Sequence, residues 1–333
     1  MTAPRLQKDE IVTVFGGSGF LGRFVVQNLA RRGYRARVAV RRPDLAQHLQ
    51  PLGGVGQIHA VQANLRFPDS VRAAVQGASA VINLVGILQE TGRQTFSSVQ
   101  SEGAAEVARA AAEVGARMVH VSAIGADANS ASQYGRTKAE GEAAVLAACP
   151  DAVILRPSIV FGPGDSFFNR FAALVRLFPV LPIAAADTRF QPVYAGDVAE
   201  AIARAVDGEA KPGAIYELGG PARYTFRELV DYVVAVTERK RLIVALPDRL
   251  ARMQAAVTET LDKLTFGLMP DEIVLTRDQL LMLERDNVVS QSAIEASLTL
   301  EGLGVAPAAV EAIVPSYLRR FRKHGQFDTR RAG

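Results

Sequence analysis

Six short β-rich runs recur at the start of this chain, at IVTVF (11–15), RARVAV (35–40), QIHAVQ (57–62), AVINLV (80–85), RMVHVS (117–122) and AVILRP (152–157). Between them lie stretches of helical periodicity such as FLGRFVVQNLARRG and FSSVQSEGAAEVARAAAEVG, the second closing on a glycine as helices often do. Strands separated by helices of this length need crossover connections. Such connections are right-handed and produce a parallel sheet covered on both faces. The expected fold class is therefore α/β, a doubly wound parallel sheet.

After Arg156 the rhythm changes, to the apolar FFNRFAALVRLFPVLP, then QPVYAGDVAEAIARAV, then the strand-like AIYELGG. A helix capped near Asp197 is expected in the second of these, and Thr225 and Glu228 stand at capping-box spacing at the head of TFRELVDYVVAVTERK. From about 245 to 325 the pattern is helices and loops with no βαβ unit and no internal repeat, which reads as a smaller, mainly helical C-terminal lobe. The expected division is residues 10–160 plus about 190–220 as a dinucleotide-binding domain, about 161–189 plus 221–327 as the smaller lobe, and 328–333 as a tail. With 333 residues, 49% of them hydrophobic, the chain can bury the core that this requires.

Composition excludes several classes. The single Cys149 cannot form an internal disulfide and fits a reducing compartment. The first ten residues, MTAPRLQKDE, carry no apolar stretch, so no secretory signal is expected, and no run of about 18 apolar residues predicts a membrane span. A net charge of +4, no Trp and 7% aromatic residues argue against a nucleic-acid partner. The positive charge gathers in YLRRFRKHGQFDTRR from Tyr317, which reads as a solvated terminus or as an element that docks to a partner or an anionic membrane surface. No metal ligand set is assigned.

The first strand runs into GGSGFLG, Gly16 to Gly22, and then into a helix. Two registers fit, Gly17, Gly19 and Gly22 as G-x-G-x-x-G, and Gly16, Gly19 and Gly22 as G-x-x-G-x-x-G, with Ser18, Phe20 and Leu21 completing the turn. A glycine turn here lets backbone N–H groups reach a pyrophosphate at the helix N-terminus, where the dipole favours negative charge. The second strand ends at VAVRRPD, where a site for NAD usually carries Asp or Glu. Arg41 and Arg42 instead match a 2′-phosphate, so NADP(H) is expected, while Asp44 leaves NAD open. Asn64 and Leu65 follow the third strand, at the expected adenine edge; Leu84, Val85 and Gly86 follow the fourth, beside the expected ribose.

YGRTK sets Tyr134 four residues ahead of Lys138, on one helix face. A neighbouring ammonium and an oxidised nicotinamide ring lower a tyrosine pKa from about 10 toward the range of a working acid or base. Ser122, at the end of the fifth strand, stands where a hydroxyl would hold a substrate oxygen, outside the carboxyl ends of parallel strands. Tyr134 follows Ser122 by only 12 positions, with Ser130 and Ser132 in the interval, so the loop that helps build a substrate pocket is short. Gln89, Arg93, Asn169, Arg170 and Arg189 are further pocket candidates, and no substrate follows from them.

TVFGGSGFLGR, HVSAIGA, YGRTKAEGE, LRPSIVFGPGD and QPVYAGDVAEAI occur in the order found in the extended and atypical short-chain dehydrogenase/reductase superfamily, which the chain resembles. Within it, RPSIVFGPGDSFFNRFAAL, TRDQLLMLERDNVVS and VPSYLRRFRKHGQF are similar to the nucleotide-binding accessory subunits of respiratory complex I and their bacterial relatives. The resemblance covers about residues 10 to 327. It implies a Rossmann fold and a tightly held NADPH, with Gly16, Gly19, Gly22, Arg41 and Arg42 in the cofactor role and Pro157, Ser158, Ile159 and Val160 beside the nicotinamide. It also implies complex I subunits as partners, a peripheral place on the cytoplasmic face of the inner membrane, and a nucleotide that stabilises the fold rather than turning over. The intact Tyr134 and Lys138 keep a second expectation open, an NAD(P)-dependent oxidoreductase or epimerase/dehydratase, although sugar-epimerase members have a longer serine-to-tyrosine interval.

Overall fold

The computed structural model describes residues 6–264, 276–323 and 325. Strands β1 (Ile11–Phe15), β2 (Arg35–Val40), β3 (Ile58–Gln62), β4 (Ala80–Asn83), β5 (Arg117–Val121) and β6 (Val153–Pro157) follow the predicted runs to within two residues at either end. With Ile215–Leu218 they form one sheet of seven parallel strands, in the order β3, β2, β1, β4, β5, β6, Ile215–Leu218. Val12 and Val14 of β1 are completely buried, as a central parallel strand with both faces covered requires. The strand order reverses between β1 and β4, which opens a crevice at their carboxyl ends.

Helices α1 (Phe20–Arg31), α2 (Pro68–Val75), α3 (Glu102–Glu113) and α4 (Gln133–Ala148) supply the crossovers. One layer pairs α1 with the helix Ala195–Val206, and the other packs α2 on α3 and α3 on α4. Between β2 and β3 the crossover is a 3₁₀ run, Pro43–Leu52, with Pro51 inside it; proline cannot donate the bond that a regular helix needs there. The helix expected to be capped near Asp197 starts earlier, at Ala195. Asp197 therefore sits in its first turn, where a carboxylate still meets the positive end of the dipole.

Contacts divide the chain into two units, Met1–Pro157 with Ala195–Gly219 and Val289–Pro307, and Ser158–Tyr194 with Gly220–Val288 and Ala308–Gly333. The stretch Val289–Pro307, assigned by its sequence to the smaller lobe, belongs to the first unit. It lines the outer edge of Ile215–Leu218: Glu217 N–H donates to Leu298 O at 3.0 Å, Ser290 N–H to Glu217 Oε2 at 2.7 Å, and Arg204 Nη1 to Leu303 O at 2.8 Å. An open sheet edge is thereby covered. Ser158, Ile159 and Val160, expected in the nucleotide domain, fall in the second unit.

The second unit holds the helices Phe167–Leu177, Phe226–Val236, Asp248–Leu264, Arg277–Leu283 and Val310–Leu318, with three pairs of short strands. Its core includes Phe161, Phe168, Phe190, Phe226 and Leu229, and the capping box of Thr225 and Glu228 is formed. Through Phe321 the basic C-terminal stretch is not a free terminus. Leu318 and Phe321 are buried, and the Tyr317 hydroxyl donates to Asp165 Oδ2 at 2.5 Å, because apolar side chains alternate with the arginines and the core claims them. The remainder of that stretch, apart from Arg322, Lys323 and Gly325, lies outside the described residues, as does the predicted tail 328–333. Among the described residues no helix is long and apolar enough to cross a membrane.

In the first unit, the two helices of one layer are tied by ion pairs. Asp207, just beyond Ala195–Val206, is buried and accepts from both Arg32 and the Tyr34 hydroxyl, while Arg32 Nη2 reaches Glu200 Oε1 at 2.5 Å. Replacing Asp207 with Ala is expected to cost about 3 kcal/mol, because it takes an acceptor from both the half-buried Arg32 guanidinium and the buried Tyr34 hydroxyl. Replacing the more exposed Glu200 with Ala is expected to cost roughly 1 kcal/mol or less. Urea denaturation of the full chain measures both.

Candidate functional site

The site is built at the carboxyl end of β1. Gly16 has φ +79, and its N–H donates to Ala39 O at 3.2 Å, so the turn leaves β1 through a left-handed residue. A Cβ at Gly22 would lie 2.5 Å from Gly16 O, and one at Gly17 would lie 2.9 Å from Val38 Cγ1. Gly19, the residue that both registers share in the middle, is less crowded, 3.3 Å from Gly16 O, and serves as the N-cap of α1. The N-cap Gly19 has no side chain with which to cap α1, and no acid occupies its first turn. Its opening N–H groups are thus available to an anion. Ser18, Phe20 and Leu21 line this turn half-buried, with Phe20 edge-on to Phe24.

Arg41 and Arg42 stand exposed beyond β2. Arg41 Nη1 donates to Gln94 Oε1 at 2.6 Å, and Arg42 pairs with Asp44 at 3.1 Å. Asn64 forms a turn, its Oδ1 accepting from Arg66 N–H at 3.2 Å, and Leu65 packs into the core opposite Gly103. Leu84 N–H donates to Phe15 O, and Val85 packs on Gly16. A Cβ at Gly86 would lie 3.2 Å from Lys138 Nζ, so the stretch after β4 and the lysine of YGRTK come together.

Helix α4 presents that lysine. Ser132 caps it, accepting from Gly135 N–H at 3.3 Å, and Ser130 Oγ accepts from Ser132 N–H at 3.2 Å, so both serines of the short interval are engaged in starting the helix. A Cβ at Gly141 would lie 2.1 Å from Gln100 O, and this close approach seats α4 on the π-helical turn Ser97–Ser101. Lys138 is buried, donates to Val121 O at 3.4 Å, and has Nζ 5.9 Å from the centre of the Tyr134 ring, itself edge-on to Phe96.

Electrostatics here run against the expectation for the tyrosine. Burial pushes Tyr134 up to about 12 and Lys138 down to about 8, with Glu142 opposing the latter shift. The ammonium lies over the ring and against a carbonyl, and desolvation outweighs it. Glu142 is itself held by Arg156, Nε to Oε1 at 2.8 Å.

Beneath α4 lies a polar layer that sequence reasoning missed. Asn83 and His120 face each other across β4 and β5, both buried, with Asn83 Nδ2 3.3 Å from His120 Nδ1. Asn83 Oδ1 accepts from Val85 N–H at 3.1 Å. The amide nitrogen therefore points at the ring, Nδ1 accepts, and the imidazole proton belongs on Nε2. Burial and then Lys138 drive His120 down to about 3, so it is neutral. Two residues on, buried Ser122 Oγ finds no hydrogen-bond partner among the described residues, and neither does His120 Nε2. The available signal was Asn83 closing the apolar strand AVIN and His120 set among the apolar residues that follow Arg117 in RMVHV.

The second unit disposes of the remaining candidates separately. Ser158 Oγ lies 2.6 Å from Asn287 Oδ1, Ile159 O accepts from Val193 N–H, and Val160 pairs with Val193. Asn169 is engaged with Asp165 and Arg320, and Arg189 is exposed. Pro157, in the first unit, ends β6 opposite Leu218.

Lys138 gives a pH signature. Its pKa is about 8 in the folded chain against 10.5 for the unmodified group, so the unfolded state holds more protons between these values and stability from this group rises with pH through that window. Lys138→Met removes the effect. Its stability advantage over the wild type should be largest near neutral pH and shrink as pH rises from about 8 to 10, read by denaturant unfolding at each pH.

Residues 10–256 match the family model described as RmlD substrate binding domain. The chain is 35% identical over 321 residues to NADH dehydrogenase (ubiquinone) 1 alpha subcomplex subunit 9, mitochondrial, of Arabidopsis thaliana, covering 95% of this chain and 79% of that one. It is 36% identical to the Rattus norvegicus protein of the same name, covering 94% and 81%. It is also 32% identical over 266 residues to ceramide reductase of Caulobacter vibrioides, covering 78% and 82%. Among solved structures, the NADPH-dependent quinone oxidoreductase QOR2 of Escherichia coli complexed with NADPH superposes with a TM-score of 0.69 at 19% identity, covering 92% of this chain and 99% of that one. The dTDP-glucose 4,6-dehydratase DesIV of Streptomyces venezuelae, with NAD and TYD bound, does so at 0.68 and 18%, covering 93% and 96%. These two likenesses agree with the doubly wound, Rossmann-like fold of the parallel sheet. By the match over residues 10–256 the chain belongs to the RmlD substrate binding domain family, and by 35 to 36% identity over 94 to 95% of its length it is a relative of subunit 9 of the NADH dehydrogenase alpha subcomplex.

Proposed function

We propose that this chain binds NADP(H) and serves as an accessory, assembly or stabilising subunit of respiratory complex I, peripheral on the cytoplasmic face of the inner membrane, with the nucleotide retained as a structural element. One observation carries the reading: 35 to 36% identity with subunit 9 chains spans 94 to 95% of this chain, far beyond what a generic dinucleotide fold needs.

The residues present fit a dinucleotide. The turn has no room for side chains at Gly17 and Gly22 and a left-handed backbone at Gly16, and the uncapped start of α1 would take the pyrophosphate. Arg41 and Arg42 would take a 2′-phosphate, exchanging Gln94 and Asp44 for a stronger acceptor. Lys138, beside Gly86, is placed to donate to ribose hydroxyls. When bound, the nicotinamide would supply hydride chemistry. Toward it this chain offers a Tyr134 phenol that keeps its proton below about pH 12 and so acts as a donor, and a Ser122 hydroxyl in need of a partner. A structural role for the nucleotide is favoured because Ser130 and Ser132, the hydroxyls in the interval before Tyr134, are already engaged in starting α4.

A second reading, an NAD(P)-dependent reductase, is favoured by one feature, the unpartnered buried Ser122 Oγ with Tyr134 and Lys138 both present. The likeness to a protein named ceramide reductase supports it.

Nucleotide released from the purified native protein, together with titration by NADPH and NADH, tests the shared premise; binding of neither ends both readings. Arg41→Ala with Arg42→Ala should weaken NADPH by about tenfold or more and leave NADH nearly unchanged, because a charge-assisted hydrogen bond to phosphate is worth about 1.5–3 kcal/mol. Tyr134→Phe is expected to preserve NADPH affinity and co-purification with complex I subunits. If it abolishes a measurable NADPH oxidation, the reductase reading replaces the accessory one.

A further inference from the structure

In the second unit, three arginines meet at Phe321, a buried residue, and a fourth stands beside them. Arg176 and Arg320 place Cζ 5.9 and 5.0 Å from the centre of the Phe321 ring. Arg239 donates from Nε and Nη2 to Phe321 O at 3.0 and 2.9 Å. Arg241 donates from Nε to Val175 O at 2.6 Å, next to Arg176 in the chain.

The partners of these four are carbonyl oxygens, an aromatic face and the Asn169 carboxamide, which Arg320 reaches at 2.5 Å. Such bonds occupy donors and neutralise no charge. Among the described residues none of the four is ion-paired with a carboxylate, and the neighbouring Glu238 is held by Arg322 at 2.9 Å. The strain of like charges registers on Arg239, whose pKa is lowered by burial and then by Arg241 and Arg176. Arg176 and Arg320 keep exposed guanidinium forks, and Leu177 and Phe178, next in sequence to Arg176, are exposed as well.

We propose that the cluster of Arg176, Arg239, Arg241 and Arg320 around Phe321 binds a phosphate group, carried by a soluble phosphorylated compound or by an anionic lipid headgroup. Planar forks arriving from several directions match the several equivalent oxygens of a phosphate better than the two of a carboxylate. The anion supplies a counter-charge that no carboxylate among the described residues gives these four arginines. None of these residues belongs to the proposed nucleotide site, so the inference stands apart from that reading.

The test is Arg176→Gln with Arg320→Gln in the full chain; both side chains are exposed, and neither bonds to the backbone of the fold. Wild type and double variant are titrated with inorganic phosphate by calorimetry, and floated with phosphatidylcholine vesicles lacking or containing phosphatidylglycerol, at constant ionic strength. The wild type should bind, and the double variant should bind at least about tenfold more weakly, since each charge-assisted contact is worth about a factor of ten. NADPH affinity should be equal in the two. Loss of phosphate binding identifies a soluble source, and loss of binding to the phosphatidylglycerol vesicles alone identifies a lipid headgroup. Absence of both activities in the wild type, or equal binding by the double variant, overturns the proposal.

Discussion

The first unit depends on how closely α1 approaches the turn that precedes it. With 2.5 Å between the position of a Cβ at residue 22 and Gly16 O, the helix starts directly over the loop and its unbonded N–H groups open at the carboxyl end of β1. The same seating brings Val25, Val26 and Leu29 into the core and lets Arg32 reach Asp207 beyond the helix Ala195–Val206. Any side chain at residue 22 would lift the helix from the sheet, and the anion site and the packing would go together. Binding chemistry and stability are here one steric fact.

A second constraint operates under α4. Gly141 allows the helix to descend onto the π turn, and the descent buries Lys138 against β5 with Asn83, His120 and Ser122. Charge in that layer is kept to one cation by making its neighbours neutral. Asn83 holds the imidazole in one tautomer, and burial keeps Tyr134 protonated. The layer favours hydrogen-bond donation toward a bound molecule more than proton abstraction from it.

Residues whose role follows from local backbone chemistry were legible early. The strand runs, the glycine turn and the facing of Tyr134 and Lys138 needed only periodicity and spacing. What escaped were relations between distant segments. Asn287 claiming Ser158, Val289–Pro307 covering the edge of Ile215–Leu218, and Asn83 meeting His120 across two strands have no signature within a window of sequence. The direction of the Tyr134 shift escaped for a related reason, since the ammonium four residues away is a local fact and desolvation is not.

By itself the sequence determined the alternation of strands and helices, the glycine turn at the end of β1, and the basic residues that follow β2, because each is set by backbone sterics, periodicity or charge within a few positions. Only the tertiary structure decided which hydroxyls are still unengaged among the described residues, which groups are desolvated, and which arginines gather around Phe321. Those properties depend on neighbours brought from far along the chain.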